Sequence, residues 1–143
     1  MGWSEIELTK EGRADRLLGH FEEKERVFQM HGDTFDVPSG ATHLAHSKIC
    51  SSQAFRYGEK AYGLQFHLEV DQAMIDRFLR VPANREEVEQ FGGKEAIARM
   101  ETETSLYLER SLRLSRKTFL EFARFFAGGL RDRQGRSAHG KPR

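Results

Sequence analysis

The stretch Tyr62–Val70, YGLQFHLEV, decides how this chain is read. Extended, it points Tyr62, Leu64, Phe66, Leu68 and Val70 to one side and Gly63, Gln65, His67 and Glu69 to the other, because successive strand side chains alternate. The first side is a core face. The second carries two ionisable groups two residues apart, with Cα atoms about 6–7 Å from each other at a rise of ~3.3 Å per residue. A carboxylate so placed can accept an imidazole N–H, fix the tautomer and stabilise the imidazolium, leaving the other ring nitrogen to take a proton from a nucleophile. Asp71 then opens a helical pattern, so the pair lies at the carboxyl end of its strand, where open α/β sheets place their sites. On spacing alone the plainer reading, the solvated face of an edge strand, is favoured. A third reading is metal binding. His31-Gly-Asp33 and His67-Leu-Glu69 are both H-x-acid pairs, and two histidines with a carboxylate could hold iron. Such a site needs a many-stranded barrel, which the helical second half argues against.

The rest of the chain sets the frame. At 143 residues, 38% hydrophobic and 31% charged, it has the composition of a soluble globular protein with one packed core. No apolar run reaches the roughly 18 residues of a membrane span, and MGWSEIELTK lacks the order of a secretory signal, so a cytoplasmic location is expected. The single cysteine, Cys50, excludes an internal disulfide and a zinc site of paired cysteines. No metal or cofactor is expected. A net charge of +1 gives no field for nucleic acid or anionic lipid, so neither is expected as a partner. The basic tail from 130 to 143 reads as a disordered end.

Extended segments come first and helices after, with the change near Asp71. SEIELT suits a strand, and Ala14, Leu17, Leu18 and Phe21 recur at the spacing of a short amphipathic helix. RVFQMHGDTF runs from a strand into a His-Gly-Asp turn, and Pro38 and Gly40 punctuate the next. THLAHS and QAFRYG are further strands, and GEKAYGLQF makes a tight return at Gly58. Asp71 is a helix N-cap, and Met74, Ile75, Phe78 and Leu79 form a stripe ending before Pro82. Asn84 with Glu87 suggests a capping box. A helical pattern from Lys94 to Phe126, broken once, is stopped by Gly128 and Gly129. His43 and His46, three apart, should face opposite sides of a strand. His20 and His139 read as surface residues, and Trp3 and Phe35 as core or pocket-wall aromatics.

The ordered run VFQMHGDTFDVPSGATHLAHSKICSSQAFRYGEKAYGLQFHLEV resembles the second half of the class I glutamine amidotransferase domain, nearest the GMP synthase-like group. The likeness begins at GWSEIELTKEGRADRLL and continues through ANREEVEQFGGKEAIARM, leaving only the basic tail uncovered. It implies an α/β fold: the C-terminal half of a flavodoxin-like domain over residues 1–129, short strands followed by C-terminal helices. It also implies a Cys-His-Glu triad that hydrolyses the glutamine side-chain amide to glutamate and ammonia. His67 falls on the general base and Glu69 on the residue orienting it; Leu68 stands where many members have proline. Met30, His31, Gly32 and Asp33 fall where the family lines its glutamine pocket.

The family's nucleophile sits in a Gly-x-Cys-x-Gly elbow, and no such motif occurs in these residues. Cys50, in SKICSSQAF, lacks flanking glycines and a following helix, and reads as a small, partly buried loop residue. The resemblance therefore implies a chain that supplies the histidine and glutamate but not the cysteine, and that is inert alone. It should associate with a complementary cysteine-bearing polypeptide or with itself. The alternatives are a non-catalytic interaction protein built on a truncated scaffold, or a hydrolase of γ-glutamyl bonds with the same pair.

Overall fold

In the computed structural model, which describes residues 1–134, strands β1 (Gly2–Leu8), β2 (Lys24–Gln29), β3 (Thr42–His46), β4 (Ala54–Tyr57) and β5 (Ala61–Leu64) precede helices α2 (Gln72–Arg80), α3 (Pro82–Gly92) and α4 (Ala96–Gln134), with one four-residue turn of helix, α1 (Lys10–Arg13), after β1. The strands form one sheet in the order β2-β1-β3-β4-β5, and all four pairings are antiparallel. The fold is mixed α/β with strands first and helices after, as the sequence implies.

Alternation along β1 and β2 divides the core in two. Ile6, Leu8 and Val27 face a cluster with Leu17, Leu18, Leu44, Phe66 and Leu68. Trp3 and Phe28, paired across the strands, face a second cluster with Val70 and with Ile75, Leu79, Ile97 and Met100 of the helices α2 and α4. Trp3 anchors α4 by donating its indole N–H to Thr104 Oγ1 at 2.9 Å. Farther along the same helix, Phe125 stacks on Tyr62 of β5, ring centroids 6.3 Å apart, and its carbonyl accepts from Lys60 Nζ. α4 thus meets β5 at one edge of the sheet and both β1 and β2 at the other, so the sheet is curled.

Several sequence expectations are corrected. Residues 14–21 form turns, not a helix: Asp15 Oδ1 accepts from the backbone N–H of Leu17 and Leu18 at 2.8 and 3.3 Å, offering those donors an alternative to helical bonding. The apolar spacing was a burial signal, since Leu17, Leu18 and Phe21 are all buried. Tyr62–Val70 is not one continuous strand; β5 ends at Leu64, and His67 rejoins by a single antiparallel bridge to Phe28. Its alternation survives, with Phe66, Leu68 and Val70 buried. Asp71 caps α2 through Met74 N at 2.7 Å, as expected. Asn84 does not cap: Pro82 occupies the first turn of α3, and Asn84 Nδ2 instead donates to the last-turn carbonyl of Phe78. α4 is unbroken and passes through Gly128 and Gly129, whose cost of about 1 kcal/mol each relative to alanine is outweighed by the rest of a 39-residue helix. His139 and residues 135–143 of the basic tail lie outside the described residues. Among the described residues, no helix is long and apolar enough to cross a membrane.

Candidate functional site

β2 carries Phe28 into the core and delivers Gln29 and the turn from Met30 to Thr34 at its end. His67 docks at the same place, its backbone N–H donating to Phe28 O at 2.8 Å. Phe66 and Leu68 are buried on the other side, so His67 and Glu69 project outward together. Their side chains meet, with His67 Nδ1 2.6 Å from Glu69 Oε1. The carboxylate can only accept, so Nδ1 carries a proton in this contact, and in the neutral ring Nε2 is left as the acceptor. Nε2 has no hydrogen-bond partner among the described residues. The pair is open to solvent, at 29% and 52% exposure, and neither residue lines the grooves of about 480 and 690 Å³ found along α4 and beside Asp15.

The turn beside it is held by amides. His31 Nε2 lies 2.7 Å from Gln29 Oε1, and Gln65 Nε2 donates to both His31 Nδ1 at 2.8 Å and Asp33 O at 2.5 Å. Thr34 Oγ1 donates to Gln65 Oε1 at 3.2 Å and contacts Cys50 Sγ at 3.0 Å. Gln29 Nε2 donates to Gln53 Oε1 at 2.9 Å, and Gln53 reaches Ser47, whose hydroxyl accepts from Cys50 N. The contacts close into a ring, Gln29, Gln53, Ser47, Cys50, Thr34, Gln65, His31 and back to Gln29, in which Thr34 and Cys50 only touch, since the hydroxyl proton goes to Gln65 and the thiol proton to Ser52 O. Satisfied polar rings of this kind fix a single geometry, because opening one bond strands a partly buried partner.

All six candidate residues therefore gather at the end of β2. Met30 packs against the helix-side core, His31 is half-buried, and Gly32 and Asp33 are exposed, with Asp33 contributing its carbonyl. Cys50 is buried, lies against Thr34 and donates to Ser52 O, in keeping with a structural loop residue. Sequence reasoning missed Gln29, Gln53 and Gln65. Gln65 carried a signal, since it shares a face with His67 and Glu69; Gln53, at 2% exposure, carried none. The expected separation of His43 and His46 is corrected: a bulge between His43 and Ala45 shifts the alternation, and the rings lie 6.2 Å apart. His43 Nε2 is engaged with Ala45 O. His20 is not a plain surface residue; it packs edge-on to Phe21 and near Thr118, and burial lowers its pKa. The iron reading fails on its donors. Both ring nitrogens of His31 are taken by glutamines, and among the described residues no group of three His, Cys, Asp or Glu could hold a metal.

No protein-family model matches the chain. It is 31% identical over 80 residues to the glutamine amidotransferase-like protein YfeJ of Salmonella typhimurium, covering 56% of this chain and 34% of that protein. It is 33% identical over 87 residues to one of the subunits of the glutamine-hydrolysing GMP synthase of Methanosarcina barkeri, covering 56% of this chain and 46% of that one. The chain thus spans less than half the length of these relatives. Among solved structures, a glutamine amidotransferase of Thermotoga maritima superposes with a TM-score of 0.58 at 32% identity, over 85% of this chain and 47% of that one. The glutamine amido transferase of Methylobacillus flagellatus gives 0.74 at 22% identity over 87% and 51%, a likeness of fold. Over the part of their length that it spans, the chain is related to the class I glutamine amidotransferases of the GMP synthase-like kind.

Proposed function

We propose that the chain takes part in hydrolysis of the glutamine side-chain amide, with His67 as general base and acid and Glu69 as the carboxylate that orients it. One observation carries this reading: the 2.6 Å bond from His67 Nδ1 to Glu69, which leaves Nε2 unpartnered on a residue whose backbone docks on Phe28, two residues before the Met30–Asp33 turn begins. The names of the similar proteins support the choice of glutamine. Nε2 takes the proton of a cysteine thiol, and the thiolate adds to the amide carbon. The imidazolium, stabilised by Glu69, protonates the departing nitrogen, and ammonia leaves a thioester. His67 then deprotonates the water that releases glutamate and the thiol. Met30, His31, Gly32 and Asp33 line the glutamine side of the site.

The thiol comes from outside these residues. The buried Cys50 thiol donates to Ser52 O and lies against Thr34, and no Gly-x-Cys-x-Gly elbow occurs in these residues to expose a sulfur beside oxyanion donors. The partner is a cysteine-bearing polypeptide segment. The test is ammonia release from glutamine by the purified chain, alone and mixed with the nucleophile-bearing segment of a relative. Activity only in the mixture is expected, abolished by His67→Gln. Full activity of the chain alone, surviving Cys50→Ala, overturns the assignment.

A non-catalytic docking role is the second reading, favoured by the exposed Leu106, Leu112, Phe119 and Leu120 on α4. An inert mixture that nevertheless co-elutes from a sizing column would support it. A γ-glutamyl substrate other than glutamine would use the same pair and is separated by substrate competition.

A further inference from the structure

We propose that Gln65 is the positioning residue of the site: its amide holds His31 as the neutral Nε2–H tautomer and pins the turn Met30–Thr34 beside His67. The assignment follows from the order in which donors are used. Gln29 spends its Nε2 on Gln53 Oε1, so only Gln29 Oε1 faces His31 Nε2, and that nitrogen must carry the proton. In the neutral ring Nδ1 is then an acceptor. His31 Nδ1 and Asp33 O, 2.9 Å apart, are then two acceptors that share the two protons of the Gln65 amide.

Glutamine is the side chain that meets all three demands at this point. It donates to Nδ1, donates to the Asp33 carbonyl and accepts from Thr34 Oγ1. Glutamate has no donor, lysine has no acceptor, and asparagine is one methylene shorter. Gln65 is itself fixed through its backbone, which donates to Gln53 O at 2.9 Å, two residues before His67 docks on Phe28. One short segment therefore sets the turn and the base together. The consequence for catalysis rests on the function proposed above: Gln65 acts on the binding of glutamine through the turn, and not on proton transfer by His67.

The tautomer is read by nitrogen NMR on the labelled full chain near neutral pH, with the His31 signals assigned by their loss in His31→Asn. Wild type is expected to show a bare Nδ1. Gln65→Glu keeps the size and the acceptor for Thr34 but turns the two donors into acceptors, so the proton should move to Nδ1. Gln65→Met should leave a mixture of tautomers and raise the backbone mobility of residues 30–34, with the His67–Glu69 signals unmoved. In the mixture with the cysteine-bearing segment, Gln65→Met should raise KM for glutamine about tenfold with the pH profile of kcat unchanged. A protonated Nδ1 in wild type, an unaltered tautomer in Gln65→Glu, or a loss in kcat at constant KM overturns the proposal. Absence of glutamine hydrolysis in every variant, wild type included, overturns the proposed reaction instead, and the NMR result still decides the role of Gln65.

Discussion

Arg110 on α4 clasps Glu25 on β2 with two parallel hydrogen bonds, Nε to Oε1 at 2.8 Å and Nη2 to Oε2 at 2.6 Å. The Glu25 side chain is 4% exposed, and Glu22 adds a second carboxylate to the same guanidinium at 3.0 Å. Hydrogen bonding to Glu25 raises the Arg110 pKa. This bond fastens the long helix to an outer strand on the face opposite Trp3 and Thr104. Removing the cation leaves the buried carboxylate with only the Glu22 backbone N–H at 3.2 Å, so Arg110→Ala should cost about 1–3 kcal/mol of stability. Glu25→Leu combined with Arg110→Met should recover much of that. Denaturant melts of the single and double variants measure both, and a single-variant loss within the ~0.5 kcal/mol of ordinary surface changes would refute the buried-pair argument.

Tyr62 gives the fold an alkaline limit. Its hydroxyl donates to Asp15 Oδ2 at 3.2 Å, and burial together with that carboxylate pushes its pKa up to about 12. Ionising it would set a phenolate against Asp15. The folded state holds this proton more tightly than the unfolded chain, where tyrosine titrates near ~10. Its contribution is therefore complete below about pH 10 and is lost as pH climbs towards 12. Unfolding free energies of wild type and Tyr62→Phe should run parallel below about pH 9 and converge above it; curves that stay parallel throughout would remove Tyr62 from the explanation.

What the sequence reveals and hides here follows from range. Strands β1 to β4, the return at Gly58 and the Asp71 cap are written in neighbouring residues and are found where the sequence puts them, whereas Tyr62–Val70 keeps its alternation but stops being a strand at Leu64. The face shared by His67 and Glu69 is equally local. The failures at Ala14–Phe21, Asn84 and Gly128 were decided by chemistry that apolar spacing does not register: Asp15 bonds the backbone N–H of Leu17 and Leu18, Asn84 reaches back to Phe78 O with Pro82 in the first turn, and a long helix carries through its glycines. The amide ring is the extreme case. Gln53 lies 24 residues from Gln29, and nothing in the spacing says that their side chains meet.

Gly12 shows such a distant constraint at a single atom. It sits in α1, and a Cβ built on it would lie 2.0 Å from the backbone oxygen of Leu44 in β3. That oxygen also accepts from Thr9 N at 2.9 Å, and Thr9 in turn caps α1. A methyl group cannot be absorbed by a side-chain rotation here, because the obstacle is backbone. Gly12→Ala should push α1 away from β3 and cost roughly 1–3 kcal/mol. By contrast, Gly32 has open space around it, so Gly32→Ala should leave the melt nearly unchanged. Equal melts for the two variants would contradict the close approach at Gly12.

Glu69 separates orientation from charge in the proposed reaction. Glutamine at this position can still accept from His67 Nδ1 through its Oε1, so the tautomer is kept while the charge opposite the developing imidazolium is lost. Leucine removes both. With the cysteine-bearing segment supplied, Glu69→Gln should lower kcat by about a hundredfold and Glu69→Leu by more, since positioned acid–base groups contribute ~10²–10⁴. KM for glutamine should hold in both, because the side chain touches His67 and not the Met30–Asp33 turn. Stability should hold as well, the carboxylate being 52% exposed. Steady-state kinetics with melts on the same preparations distinguish the outcomes. Equal rates for wild type and Glu69→Leu would mean that the 2.6 Å contact is a surface ion pair without a catalytic task.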